Sequence, residues 1–360
     1  MDHTLQSFSE LCRDPILSVE QGRISWMNAA ARKCFPQRRP GDAATGLLPE
    51  YILQETAETF VTGAVLDGHS YTVSAARVGD EALLLTLVPA PAEGNVAYVS
   101  DSLISGMRSA LCNIELSAEH LRRHLDTRDG ESEMYLAMLL HNYYALHHKL
   151  SNLCLMRQIC DSGIQLSHKF VDLVDLCRGL VLSTNHLVPK GLAPIEFVCA
   201  LDSLPACMDA AKVELLIVNL LSNALKHTPP GGHIRLGLSK SGSNAVISVD
   251  DDGDGISSEV LNGVFHAYET RLDEQSLSQA DTGGLGLGIC RAIAEQHGGA
   301  LILESREQKG TSIRLMLPLR AQDLHLSSDR PPYENGGMVL LLTELSDVLD
   351  WQAYRGEYLD

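Results

Sequence analysis

The chain has 360 residues, 45% hydrophobic and 21% charged, with a formal net charge of -18 at pH 7. That length is a soft prior for two or three domains, and the composition is that of folded cores rather than of a disordered chain. So acidic a surface repels polyanions, so neither direct nucleic-acid binding nor attachment to an anionic membrane is expected. The sequence has no run of 18 apolar residues and no signal-peptide layout, which predicts a cytoplasmic protein. Nine cysteines are scattered without a C-x-x-C pair, so buried free thiols are expected rather than a zinc or redox site.

The chain begins with a strand–turn–strand–helix pattern. Ile16–Val19 and Ile24–Trp26 read as strands around a turn at Gln21–Gly22, and Asn28 is placed to cap a helix over Ala29–Lys33. Ser70–Ala76 and Ala82–Val88 read as closing strands around Gly79–Asp80. This opening resembles a PAS sensor domain and sets a first unit at 1–90. Two roles stay open for it, a sensor and a ligand-free dimerisation module. No residue argues for haem, and His69 is expected at a surface turn.

Pro89–Asn95 is a linker. Beyond it, Ile104, Met107, Leu111, Ile114, Ala118, Leu121 and Leu125 alternate by three and four, as do Leu136, Leu139, Tyr143, Leu146, Leu150 and Leu153. Two such seams joined by the polar turn Asp126–Ser132 predict an antiparallel helical hairpin over 96–162. One hairpin leaves apolar surface uncovered, so a homodimer through 99–159, a four-helix bundle, is expected. This unit resembles the dimerisation and phosphoacceptor hairpin of histidine kinases. The resemblance breaks at the reactive histidine. Arg108 and Leu111 match the motif, but its histidine position holds Ser105 and the acidic position beside it holds Gly106. A serine hydroxyl needs a base to take its proton. His120, His124, His141, His147 and His148 are the other candidate acceptors, each with an ordinary packing or surface role as its alternative.

A helix over Val171–Leu182 and a strand over Pro194–Leu201 then lead, through Ser203–Met208, into Val213–Thr228. That helix is apolar on most sides yet carries Asn219, Asn223 and Lys226 at i, i+4 and i+7, one polar stripe on a buried helix. The stripe must find partners in solvent, in a loop or in a ligand, and a metal ion with phosphates suits two amides and a lysine. Downstream stand VDDDGDGI at Val249–Ile256, VFHAY at Val264–Tyr268, TGGLGLGI at Thr282–Ile289, and GTS at Gly310–Ser312 between two strand-like runs. In this order and spacing the stretch Val213–Leu319 resembles the ATP-binding boxes of histidine-kinase-type ATPases, shared with gyrase-type and Hsp90-type ATPases. The expected fold class is therefore α+β: a PAS-like unit, a helical hairpin, and a C-terminal α/β sandwich of this ATPase type over 166–320, with an appendage at 321–360.

The resemblance implies ATP and Mg²⁺ as cofactors. It assigns Asn223 to the metal, Asp251 to the adenine amino group, and Gly253 and Gly255 to close approach of the base. Gly284, Leu285, Gly286 and Leu287 go to phosphate at a helix N-terminus, Lys226 to a phosphate, Thr311 to the adenine pocket, and Phe265 and Tyr268 to the hinge of a lid over Glu269–Thr282. Asn219 stands where gyrase and Hsp90 relatives place a basic glutamate, so rapid hydrolysis is not expected. The acidic run at Asp250–Gly255 could instead be a calcium loop, but it lacks the spacing and final Glu of an EF-hand. Three functions follow: a sensor histidine kinase with a response-regulator partner, an ATP-binding pseudokinase acting on a partner kinase or regulator, or a serine kinase on the same fold. In the appendage, Met338–Leu349 is apolar enough to dock, as a strand or as a helix.

Overall fold

A computed structural model describes residues 14–78, 82–89, 101–124, 130–189, 191–256, 284–319 and 336–355. The chain opens with β1 (Ile16–Glu20), β2 (Arg23–Met27) and α1 (Ala29–Cys34), as the sequence predicts. Asn28 caps α1, its Oδ1 accepting from the N–H of Ala31 at 2.8 Å and also from Ile16 at 2.9 Å, so one side chain fixes both strand start and helix start. After α2 (Glu50–Gln54) come β3 (Thr59–Leu66), β4 (His69–Val78) and β5 (Ala82–Pro89). These strands form one antiparallel leaf in the order β2-β1-β5-β4-β3.

Two long helices follow, α3 (Asp101–His124) and α4 (Gly130–Ser162). Their seams split by position. Ile104, Leu111 and Ala118 on α3 and Tyr143 and Leu150 on α4 are buried, whereas Met107, Ile114, Leu121, Leu139 and Leu146 are exposed. Two helices can cover only one stripe of each other, so every second seam position is left facing out. Leu125 lies outside the described residues.

The C-terminal part begins with β6 (Lys169–Asp172), whose last two residues the sequence places in a helix over Val171–Leu182, and α5 runs over Leu173–Leu187. The reason is Asp172, whose carboxylate accepts from the N–H of Val174 at 2.9 Å and caps α5 at that point. Next are β7 (Ile195–Cys199) and β8 (Pro205–Met208). The segment expected merely to lead into the next helix is therefore a strand, and it pairs with β6. Then come α6 (Ala210–His227), β9 (Ile234–Ser241), β10 (Asn244–Asp251), α7 (Gly284–Gln296), β11 (Ala300–Ser305) and β12 (Thr311–Pro318). The strand order β11-β12-β10-β9-β7 is antiparallel except for the parallel β7–β9 pair. Helices α5, α6 and α7 pack on one face around Leu176, Leu216, Leu220, Ile247, Ile293 and Leu315.

The two leaves are not separate. β3 pairs antiparallel with β11 (Thr62 opposite Ile302, Val61 opposite Leu303), making one ten-stranded sheet among the described residues. Thr62 Oγ1 donates to the Leu301 carbonyl at 2.8 Å, and Arg314 pairs with Glu55 at 2.8 Å across the same junction.

The appendage is helical. Helix α8 (Gly336–Glu344) continues through a turn into a 3₁₀ segment at Trp351–Tyr354. Leu341, Leu342, Leu345 and Leu349 are buried in the core that α4, α5 and α6 share. Tyr354 lies against His141 and Tyr144 of α4, and its hydroxyl donates to the Leu342 carbonyl at 2.8 Å. Among the described residues no helix is long and apolar enough to cross a membrane.

Candidate nucleotide site

The site is built on α6. Asp209 caps that helix, accepting from the N–H of Lys212 at 3.1 Å, while its own N–H donates to His297 Nε2 at 3.2 Å. His297 Nδ1 in turn lies 2.8 Å from the Ile293 carbonyl, which fixes the tautomer with the proton on Nδ1. The start of α6 is thereby tied to the end of α7.

Along α6 the polar stripe falls into three environments. Lys226 is exposed. Asn223 is half-buried, and its Nδ2 is a buried donor with no hydrogen-bond partner among the described residues. Asn219 is only 5% exposed. Its Nδ2 donates to the Leu215 carbonyl at 3.2 Å and to Glu344 Oε2 of α8 at 2.7 Å, and Ser222 Oγ donates to the Glu344 carbonyl at 3.0 Å. One of the two amides is thus taken by the chain's own C-terminal segment and the other is open.

The second wall comes from β10 and β12. Asp251 and Thr311 face each other in the strand register. Asp251 Oδ1 accepts from the N–H of Gly253 at 3.0 Å and of Thr311 at 3.2 Å, which leaves Oδ2 without a partner among the described residues. Burial pushes the Asp251 carboxyl up from its ordinary value, more than the two N–H donors and His227 pull it down. Ser305 Oγ stands 3.0 Å from Thr311 Oγ1 and accepts from the N–H of Ile256, closing the floor.

The glycines serve the protein's own backbone first. A Cβ on Gly253 would fall 2.4 Å from the His227 carbonyl oxygen, and one on Gly255, whose φ is +67°, 2.1 Å from the Arg306 carbonyl oxygen. The first contact locks the β10 loop against the end of α6, the second against the turn between β11 and β12. Of the phosphate-loop glycines, Gly284 starts α7 and Gly286 lies inside its first turn. First-turn N–H groups have no intrahelical acceptor, so they stay available to an anion. A Cβ on Gly286 would stand 2.9 Å from Asn219 Oδ1, so the glycine lets α7 close on α6. Leu287 is buried. Phe265, Tyr268 and the lid at 269–282 lie outside the described residues. A cleft of about 440 Å³ does exist where the two leaves meet, lined by Phe60, Ala75, Leu84, Ile256, Ser305 and Arg306 among others, but none of the candidate nucleotide residues lines it.

Residues 208–321 match the model of the histidine kinase-, DNA gyrase B- and HSP90-like ATPase family. Those residues form a histidine kinase-type ATPase domain. The chain is 27% identical over 332 residues to the alginate biosynthesis sensor protein KinB of Pseudomonas aeruginosa, covering 84% of this chain and 54% of that protein. It is 36% identical over 164 residues to the sensor histidine kinase TmoS of Ectopseudomonas mendocina, 44% of this chain and 16% of that one. The chain therefore spans about half or less of the length of these curated relatives. Full-length ShkA, solved in complex with AMPPNP, superposes with a TM-score of 0.51 at 22% identity, covering 62% of this chain and 46% of that one, a likeness of fold.

What sequence reasoning missed about this ATPase domain is its contact with Glu344 of the appendage. The apolar run around it announced a docking segment, but nothing in the run names its target.

Proposed function

We propose that the protein binds Mg-ATP between α6, the β10–β12 wall and the first turn of α7, and acts as a sensor histidine kinase in two-component signalling. The observation that carries this reading is Asn223. Its buried Nδ2 has no hydrogen-bond partner among the described residues, a donor left unsatisfied at a cost of about 1–3 kcal/mol, and Asn223 sits on a helix that packs against both β10 and α7. Asn223 Oδ1 is a hard oxygen suited to Mg²⁺, which when bound neutralises phosphate charge. Asp251 Oδ2 accepts from the adenine amino group. The N–H groups around Gly284–Leu287 hold phosphate oxygens, and Lys226 supplies positive charge at the helix end.

The exposed half of the hairpin seams supports a homodimer through 99–159, because Met107, Ile114, Leu139 and Leu146 stand exposed among the described residues. The phosphoryl group would pass to a histidine and on to a response regulator, with the N-terminal leaf as the input unit. Ser105 favours a second reading, an ATP-binding pseudokinase that regulates a partner. It is exposed on α3, and no carboxylate neighbours it in sequence.

Incubation with γ-labelled ATP, then acid and alkali treatment, separates the readings. Acid-labile label on the chain, passed on to an added receiver, supports the kinase. ATP binding without label supports the pseudokinase, and acid-stable label supports a serine kinase. Absence of ATP binding ends all three.

A further inference from the structure

Glu344 closes α8 with its carboxylate inside the protein, only 3% exposed, 125 residues from the amide it engages. Buried carboxylates are costly unless paired, and they mark places where charge has a task. Here the pairing is with Asn219 Nδ2 at 2.7 Å and with His148 of α4, whose Nε2 stands 3.2 Å away. Asn219 is the residue that a Cβ on Gly286 would strike, so the carboxylate lies one side chain from the first turn of α7. The same segment is anchored at both ends. Ser222 Oγ binds the Glu344 carbonyl, and Tyr354 binds the Leu342 carbonyl while lying against α4.

We infer that the C-terminal segment 336–355 is an autoinhibitory plug: docked Glu344 and a bound nucleoside triphosphate compete for the Asn219 side of the site, so the tail holds the ATPase domain in a weak-binding state until it is displaced. The inference rests on the nucleotide reading above. Its physical basis is charge. A carboxylate in a partly desolvated site near several phosphate charges opposes their entry, and binding linkage makes that opposition mutual. The plug also bridges α6 to α4, so its displacement removes one of the contacts between the ATPase domain and the second hairpin helix.

The test uses the full chain and Mg-ATP. Calorimetry should show Glu344→Gln, which removes the charge and keeps an acceptor for Asn219, binding Mg-ATP about tenfold more tightly than the wild type. Tyr354→Phe, remote from α6, should tighten binding about two- to threefold by loosening the tail, an effect that a merely structural hydroxyl would not produce and that a fold failure of the first variant would not obscure. In the wild type, hydrogen exchange of the amides 338–349 should speed up when Mg-ATP is added. Equal or weaker binding by both folded variants, or slower exchange of the tail with nucleotide, overturns the plug while leaving the nucleotide site intact. Loss of binding in Glu344→Gln alone would make the carboxylate part of the site, which also overturns it. If neither the wild type nor either variant binds Mg-ATP, the nucleotide reading falls and takes the plug with it.

Discussion

Gly63 and Arg291 share a space that only one side chain can occupy. A Cβ on Gly63 would lie 1.9 Å from Arg291 Nε. The guanidinium passes over β3, pairs with Glu295 at 2.8 Å, and reaches Thr72 Oγ1 and the Tyr71 carbonyl at 3.4 Å each. A helix of the ATPase domain thus inserts its charge into the N-terminal leaf, at the strand that joins the two. Gly63→Ala must move the guanidinium or part the strands, and should destabilise the protein by about 1–3 kcal/mol. Urea unfolding reads this directly. An unchanged midpoint would mean the two leaves do not share this junction in solution.

Asp251→Asn keeps one oxygen for the N–H groups of Gly253 and Thr311 but puts an NH₂ where an acceptor is needed. Binding of Mg-ADP should weaken by about 100-fold, the loss of a charge-assisted bond plus an opposed donor. The thermal midpoint should barely move, because both backbone contacts survive. A variant that binds adenine nucleotide like the wild type would remove Asp251 from the base pocket.

Asn223→Ala deletes an amide whose buried Nδ2 already lacks a partner among the described residues, so the fold should not suffer beyond about 1 kcal/mol. Metal-dependent nucleotide affinity should vanish. Titrations with and without Mg²⁺ give the check: a retained difference between them sinks the assignment.

His148 gives the tail contact a pH dependence. Burial alone lowers its pKa, but the Glu344 contact and charge, with Asp347 beside it, outweigh burial and the opposing Lys149, and the net shift is upward. The ring stands at ion-pair distance from Glu344 without hydrogen-bond alignment, so charge is what couples them. A raised folded-state pKa means the stabilisation is complete below the unfolded value of about 6.5 and is lost as pH rises through the folded value. Wild-type stability should therefore fall from pH 6 to pH 8 more steeply than that of His148→Gln. Parallel curves would show that the pair contributes nothing.

Much of the ATPase domain was legible because its signals are local. The apolar run of Val213–Thr228 and its amide stripe needed only helical spacing, as the cap at Asn28 in the N-terminal leaf needed only its own side chain, whereas the contacts of Asp251 and the glycines with the chain's own backbone were not legible. Beta–alpha boundaries at 169–173 were misplaced because the deciding contact is a cap, Asp172 on the Val174 N–H, that competes with helical periodicity over the same residues. Gly286 sits inside the first turn of α7 because a helix packed on α6 tolerates glycine where packing outweighs propensity.

By itself the sequence determined which segments are amphipathic and where the glycines and the paired amides fall along the chain, and the resemblance of its motifs implied an α+β protein with a histidine kinase-type ATPase domain. Only the tertiary structure decided that β3 of the N-terminal leaf continues the ATPase sheet through β11, and that Glu344 reaches back to Asn219. Both are contacts between residues more than a hundred positions apart, Thr62 with Leu301 and Asn219 with Glu344. Spacing along a chain encodes which face of an element is apolar, but a match between two distant faces depends on shape and charge that appear only once the elements have packed.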